Sequence, residues 1–306
     1  KLSEEGVYIS YEEFKRGKEV TRGGKTFQFK EGDFDNPFVT CHLEARSGAS
    51  RSAGTRTVFD FDFLAQEAVY YPALLDANYA FGIPFALWVP ILPGCGPLIM
   101  LLFTKGGKAP VKWFSPVGEK SFKPSLKNRM GNNYIVYAGR IFGAKWPGPE
   151  YVSLDESFVV AQWMAGTIKE FRGCCLNTYT SAAVRICQAA RENNLDISGA
   201  KFIVSGEPLT QSKVKEIERA GADVLSYYWF TEAGFVGGTC TNSTEGDMHL
   251  YKDCIAVIQH QREVPHVGAS IDAFLFTSLL PSAPKVLFNV ESGDYGVMET
   301  RNCGCK

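Results

Sequence analysis

The stretch CCLNTYTSAAVRICQAARENNLDISGAKFIVS, residues 174–205, decides the fold class. CCLNTY (174–179) reads as a buried strand. Thr180 or Ser181 then caps a helix running to about 193, where ENN ends it, and AKFIVS (200–205) is a second strand. Downstream, Thr210 caps a helix to about 220 with AGA as its stop, and DVLSYY (223–228) is a third strand. Upstream, SLDE (153–156) fits a capping box, with Ser153 as cap and Glu156 three residues on, and predicts a helix to about 171. Strand and helix alternate at the lengths of βαβ units, so a largely parallel sheet covered on both faces is expected. From 248 onward, short apolar runs such as IDAFLFTSLL and APKVLFNVES predict mostly β structure.

The first half is less regular. Residues 1–45 predict loops and short strands, and 57–80 a helix interrupted near Pro72. Residues 81–103, FGIPFALWVPILPGCGPLIMLLF, are uncharged and long enough to span a membrane. Four prolines and three glycines would leave backbone groups unpaired in lipid, so we read a buried strand near 83–89, a Pro/Gly turn and a buried segment near 97–103. A net charge of −1 over 306 residues argues against a nucleic-acid or anionic-membrane surface, so any anion recognition must be local. Nine cysteines, an odd number with Cys174 and Cys175 adjacent in an apolar run, do not suggest a disulfide framework. A cytoplasmic location is the expectation.

Four short motifs carry possible chemistry. RSGASRSAGTR (46–56) holds two glycines, four hydroxyls and three arginines without an acid. Its amides and donors suit an anion, but it also reads as a solvated basic turn. Gly48 and Gly54 have five residues between them and no lysine precedes Thr55, so it is not the common nucleotide loop. VSGEPLT (204–210) ends one strand and opens a helix, where open α/β sheets bind ligands; it is equally a plain helix start. SYYWFTEAG (226–234) offers aromatics that stack on a base or sit in the core, and a Thr-Glu pair suited to a phosphate and its magnesium ion. ESGDYG (291–296) places Asp294 in a Gly-Asp turn.

In this order the four resemble the adenylate-forming, AMP-forming ligase superfamily, nearest its phenylacetate–CoA ligase and coenzyme F390 synthetase-like branch. The loop at 46–56 stands in place of the Ser/Thr/Gly-rich phosphate loop, SGEP (205–208) resembles the adenine motif, YWFTE (228–232) the YGxTE motif and SGD (292–294) the TGD motif. The resemblance covers about residue 9 to 306. It implies two doubly wound subdomains, 1–165 with the phosphate loop and 166–247 with the adenine and Thr-Glu motifs. A mostly β subdomain, 248–306, with a small distorted barrel would follow. Ser47, Gly48, Ser50, Arg51, Ser52, Gly54 and Thr55 would wrap the ATP phosphates. Gly206, Glu207 and Pro208 would line the adenine and Tyr228 would lie against it. Thr231 would touch the α-phosphate, Glu232 would hold Mg2+, and Asp294 would bind the ribose. The implied reaction is attack of a carboxylate on the ATP α-phosphate, giving an acyl-adenylate and pyrophosphate, then transfer to a thiol of CoA, a carrier protein or a protein cysteine. The oligomeric state is left open.

The chain departs from the family in three ways. Its phosphate loop is longer and interrupted by Arg51 and Ala53; Trp229 stands where the family has glycine; and it stops where the small C-terminal domain, with its adenylation lysine, would begin. About eighty residues upstream of the loop are also expected to be missing. Such a piece is expected to bind nucleotide better than it turns over. A nucleotide-binding scaffold with an eroded site is the alternative. Cys240, His249, Cys303 and Cys305 form a donor set suited to a closed tetrahedral zinc site, as in some members of the similar branch; four unrelated residues on loops, three thiols and one imidazole, is the bland alternative. Cys254, in CIAVI, reads as core. His42, His260 and His266 have no convincing partners, and Glu67 and Asp76 show no paired-carboxylate logic. The acid pocket is expected between parts of 83–114, 174–181 and the approach to 228, with no preference between aryl and alkyl acids.

Overall fold

Residues 174–205 fold as strand, helix, strand, and each strand buries nearly every side chain. A strand covered on both faces needs apolar residues on both, which is why CCLNTY and AKFIVS lack clean alternation. The computed structural model describes residues 5–46, 54–117, 126–141, 143–243, 246–264 and 268–305.

The chain opens with α1 (Tyr11–Arg16), a hairpin of β1 (Val20–Arg22) and β2 (Lys25–Phe27), and a second hairpin of β3 (Leu43–Arg46) and β4 (Arg56–Phe59). Then come α2 (Phe61–Glu67), α3 (Tyr70–Asp76), β5 (Phe85–Trp88), α4 (Gly96–Lys105), β6 (Lys112–Ser115), α5 (Leu126–Ile141) and β7 (Pro149–Tyr151). The regular part follows: α6 (Ser157–Phe171), β8 (Cys174–Tyr179), α7 (Thr180–Glu192), β9 (Ala200–Ser205), α8 (Gln211–Glu218) and β10 (Asp223–Phe230). The end of the chain holds β11 (Gly234–Gly238), β12 (His249–Leu250), β13 (Ile255–Glu263), β14 (Ser270–Ser278) and β15 (Val290–Tyr295).

The α/β class stands. Strands β5 to β12 lie in one eight-stranded sheet, ordered β12-β11-β10-β9-β8-β5-β6-β7, in which β5 pairs in parallel with β8 from Phe85↔Cys175 to Trp88↔Thr178. Within it only β11 runs against the others, so its pairings with β10 and with β12, at one edge, are the antiparallel ones. Side chains alternate between two cores. Phe85, Leu87, Cys175 and Ile203 pack with Phe63, Tyr71 and Leu102 on one face. Ala86, Trp88, Leu176 and Phe202 pack with Val160, Ile186 and Ile217 on the other. Burying each large apolar side chain contributes about 1.5–3 kcal/mol. The β-rich end is a three-stranded antiparallel sheet, β13-β14-β15.

Strand order reverses between β5 and β8. From β5 the chain builds outward through β6 and β7, and from β8 in the opposite direction through β9 and β10. In open α/β sheets the crevice at the carboxyl ends of strands flanking such a reversal is where ligands bind.

Several local expectations hold. Ser153 N–H donates to the Glu156 carboxylate at 3.0 Å ahead of α6, and Thr210 caps α8. Others shift. The cap of α7 is Tyr179, and Thr180 is already helical. The break expected near Pro72 falls at Ala68–Val69; Pro72 sits in the first turn of α3, where an amide donor has no helical partner to lose. The apolar run 81–103 forms β5, a turn and α4, with Gly96-Pro97 starting the helix. Among the described residues no helix is long and apolar enough to cross a membrane. Residues 1–45 include a helix, α1, that loops and strands alone do not describe; Ser10 N–H donates to Glu13 at its first turn and Gly17 ends it at φ +60°.

Candidate functional site

The adenine-type motif follows β9. Gly206 takes φ +78°, and a Cβ there would lie 3.3 Å from the Tyr179 ring, so backbone and aromatic meet only because the residue is glycine. Glu207 turns to the neighbouring helix. Its carboxylate accepts from the Ser181 amide and hydroxyl, both at 2.8 Å, and Thr180 Oγ1 donates to its carbonyl at 3.1 Å. A carboxylate at the N-terminus of α7 is favoured by the helix dipole and by unpaired amides. Lys213 Nζ donates to the Pro208 carbonyl at 3.0 Å. Residues 206–208 are thereby fastened at the carboxyl edge of the sheet, beside Tyr179 at the end of β8.

The Thr-Glu motif is the turn between β10 and β11. Register slips between Tyr228 and Trp229, and Phe230 faces Gly234 across the turn. Thr231 Oγ1 donates to Glu232 at 3.0 Å, and Glu232 is almost fully buried. Lys15 of α1 donates from Nζ both to Glu232 and, at 2.9 Å, to Thr55 Oγ1. Burial alone would raise the Glu232 carboxyl; the Lys15 charge and hydrogen bonds from Lys15 and Thr55 outweigh it and hold the group below its ordinary value. The turn therefore carries a buried anion at neutral pH.

Gly54 and Thr55, the last residues of the expected phosphate loop, lead into β4, which pairs with β3 with Arg46 opposite Arg56. Gly54 has φ +71°, and its carbonyl accepts from Arg46 Nη1 at 3.1 Å. Ser47, Gly48, Ser50, Arg51 and Ser52 lie outside the described residues.

Asp294 lies at the end of β15 and accepts from the Ser292 hydroxyl and the Tyr228 hydroxyl. Burial, and then the Asp294 charge, push the Tyr228 hydroxyl well above its usual range, so it stays a donor. The structure thus brings Tyr228 to Asp294 and Thr55 to Glu232, which neighbours Thr231 in the same turn.

Two participants escaped the sequence reading. Lys15 is one. Glu67, at the end of α2, is the other: it is fully buried, and its Oε2 accepts from Trp229 Nε1 at 3.2 Å and from the Phe235 amide at 2.7 Å. Desolvation pushes its carboxyl up to about 8. Trp229 also stacks on Phe59 at 6.3 Å, so its bulk is absorbed behind the turn. Neither acid nor lysine has a local signature, since each reaches the turn across more than 160 residues of chain.

The four zinc-type donors converge. His249 Nε2 lies 3.3 Å from Cys240 Sγ, 3.4 Å from Cys303 Sγ and 3.3 Å from Cys305 Sγ, and Cys240 Sγ is 3.9 Å from Cys303 Sγ. All four donor atoms lie within 4.8 Å of one another. Ligands about 2.0–2.3 Å from one tetrahedral ion sit roughly 3.5–3.8 Å apart, so the residues fit a zinc ion. Cys254 is core, with its thiol on the Phe235 carbonyl at 2.9 Å. His42 stacks on Phe61, His260 lies 2.7 Å from Glu291, and His266 falls outside the described residues.

No family model matches the chain, and no curated protein matches it in sequence. Solved structures do. A 2-hydroxyisobutyryl-CoA ligase in complex with 2-HIB-AMP and CoA, in the thioesterification state, is similar over 91% of this chain and 51% of its own, with 13% identity and a TM-score of 0.55. The ligase in the postadenylation state with 2-HIB-AMP is similar over 91% and 50%, at 15% identity and a TM-score of 0.54. Its open conformation gives 83% and 51%, 12% and 0.53. The chain spans about half the length of these ligases, and over that span it has their fold.

Proposed function

We propose that this chain is the nucleotide-binding part of an AMP-forming acid–thiol ligase of the phenylacetate–CoA ligase-like branch. One observation carries the reading: the Thr-Glu turn joins the end of the phosphate loop through Lys15, and the aromatic of the same β10 strand joins the ribose-type Asp294. Three motifs spread over some 250 residues thereby meet, and the fourth, at 206–208, follows β9, the strand beside β10. The fold shared with ligases crystallised with an acyl-AMP and CoA supports it.

In this reading residues 206–208 line the adenine, the Tyr228 ring lies against it, and Asp294 takes ribose hydroxyls. Thr231 donates to the α-phosphate. Ser47, Gly48, Ser50, Arg51, Ser52, Gly54 and Thr55 would wrap the phosphates. Glu232, a buried carboxylate held anionic, suits a hard divalent ion, and Mg2+ bound there would neutralise phosphate charge. A carboxylate oxygen of the acid attacks the α-phosphorus, the bond to the β-phosphate oxygen breaks, and pyrophosphate leaves. A thiol then takes the acyl group and releases AMP. The acid binds where strand order reverses, between the turn after β5 and the end of β8. CoA, a carrier protein or a protein cysteine serves as the thiol. Zn2+ on Cys240, His249, Cys303 and Cys305 would tie the segment after β11 to the segment after β15, and so hold the Thr-Glu turn near the ribose turn. The alternative of an eroded scaffold rests on the altered phosphate loop and on Trp229, and Glu67 and Phe59 take up the Trp229 side chain.

Thermal unfolding with and without ATP–Mg tests the proposal. A ligand at 100 times its dissociation constant adds about 2.7 kcal/mol, and no stabilisation by ATP–Mg or AMP would favour the scaffold.

A further inference from the structure

Helix α1 lies outside every motif named above, yet it touches three of them. Its Tyr11 ring packs on the ribose turn so closely that a Cβ at Gly293 would come within 2.9 Å of it. The Tyr11 amide donates to Glu291 at 3.2 Å. One helical turn on, Lys15 bonds Thr55 at the end of the phosphate loop and Glu232 in the Thr-Glu turn.

The loop itself carries no lysine. Its two stem arginines are committed elsewhere: Arg46 to the Gly54 carbonyl and Glu31, Arg56 to Asp35 and Glu44. Arg51 lies outside the described residues, and among those described the cation at the junction of loop and turn comes from α1. We propose that Lys15 is a phosphate-binding residue of the nucleotide site, supplying from α1 a positive charge to the polyphosphate beyond the α-phosphate. The inference rests on the nucleotide-binding reading of the preceding subsection.

Charge and donor count lead there. An ammonium has three donors, and among the described residues Lys15 spends two, on Thr55 and Glu232. Its side chain keeps 18% of its exposure, enough for an oxygen to approach. One carboxylate balances one ammonium. A divalent ion arriving on Glu232 beside Lys15 would leave an excess of positive charge at one buried anion, and a triphosphate relieves that excess where it arises. Lysine suits such a shared position because its compact charge rotates on a flexible stem.

The test is calorimetric titration with ATP and with AMP in magnesium-free buffer without chelator, so that no Mg2+ on Glu232 contributes and the Cys/His cluster is left undisturbed. For Lys15→Met the expected result is ATP affinity about tenfold weaker or more, with AMP within about twofold; Lys15→Arg should keep most of the ATP affinity. Equal weakening of ATP and AMP, or no change in either, would overturn the role. Lys15→Met leaves Glu232 buried without its counter-ion. Should it fail to fold, Lys15→Met in a Glu232→Gln background removes both charges. It must then bind ATP more weakly than Glu232→Gln alone, by a similar factor, and equal affinities overturn the proposal. Wild-type protein that binds neither nucleotide defeats the nucleotide-site reading itself. Wild-type ATP binding indifferent to residue 15 defeats only Lys15.

Discussion

The Tyr228 hydroxyl donates to an Asp294 carboxylate oxygen at 2.5 Å, joining two residues 66 positions apart in sequence. One comes from the strand that ends in the Thr-Glu turn, the other from the ribose-type turn. The bond crosses from the large sheet to the small one. Tyr228→Phe keeps the ring and removes the donor. Unfolding in urea should show a loss of about 1 kcal/mol, the usual net worth of such a bond. An unchanged midpoint would mean that the two turns are held together by other contacts.

Glu232→Ala removes the buried carboxylate and leaves Lys15 with Thr55. Magnesium-dependent ATP binding should weaken at least about tenfold, or roughly 1.4 kcal/mol, with the circular dichroism spectrum retained. Affinity in magnesium equal to that of the wild type would contradict the assignment of Glu232 to the metal.

Glu67 titrates where its burial places it. Its carboxyl is pushed from 4.5 to about 8 by desolvation, so the folded chain holds a proton there that the unfolded chain has released. Stability is therefore lost as pH rises from about 4.5 to about 8 and levels off above. Glu67→Gln keeps an acceptor for Trp229 and Phe235 but cannot ionise. The melting temperature of the variant relative to wild type should climb across that window. A difference that stays constant with pH would show that Glu67 does not carry the proton.

The cluster of Cys240, His249, Cys303 and Cys305 should yield about one zinc per chain by elemental analysis of protein purified without chelators. Stripping the metal, or Cys303→Ser, should lower the melting temperature. Well under one zinc per chain removes the structural metal from the account.

The regular half of the chain was legible because its periodicity is strong. CCLNTY and AKFIVS match β8 and β9 residue for residue, and the Ser153–Glu156 box opens the 3-10 turn that leads into the helix ending at Phe171. Short motifs in family order singled out Tyr228, Glu232 and Asp294, and donor type with the family resemblance singled out the four Cys and His residues whose donor atoms the fold gathers within 4.8 Å. What the reading missed is long-range. A single sheet across both halves depends on β5 meeting β8, and no local pattern encodes that pairing. Lys15 and Glu67 look like ordinary charges on short helices until tertiary packing brings each beside the Thr-Glu turn. Pro97 in an apolar run hid α4, although proline at the start of a helix costs no hydrogen bond.

The account turns on whether this surface binds an adenine nucleotide. The most direct measurement is calorimetric titration of the chain with ATP in magnesium, with Asp294→Ala as the control. The account predicts one saturable site per chain and affinity weakened about tenfold or more by the loss of the ribose acceptor. No heat of binding and no thermal stabilisation by ATP–Mg or AMP, from a folded chain, would contradict it.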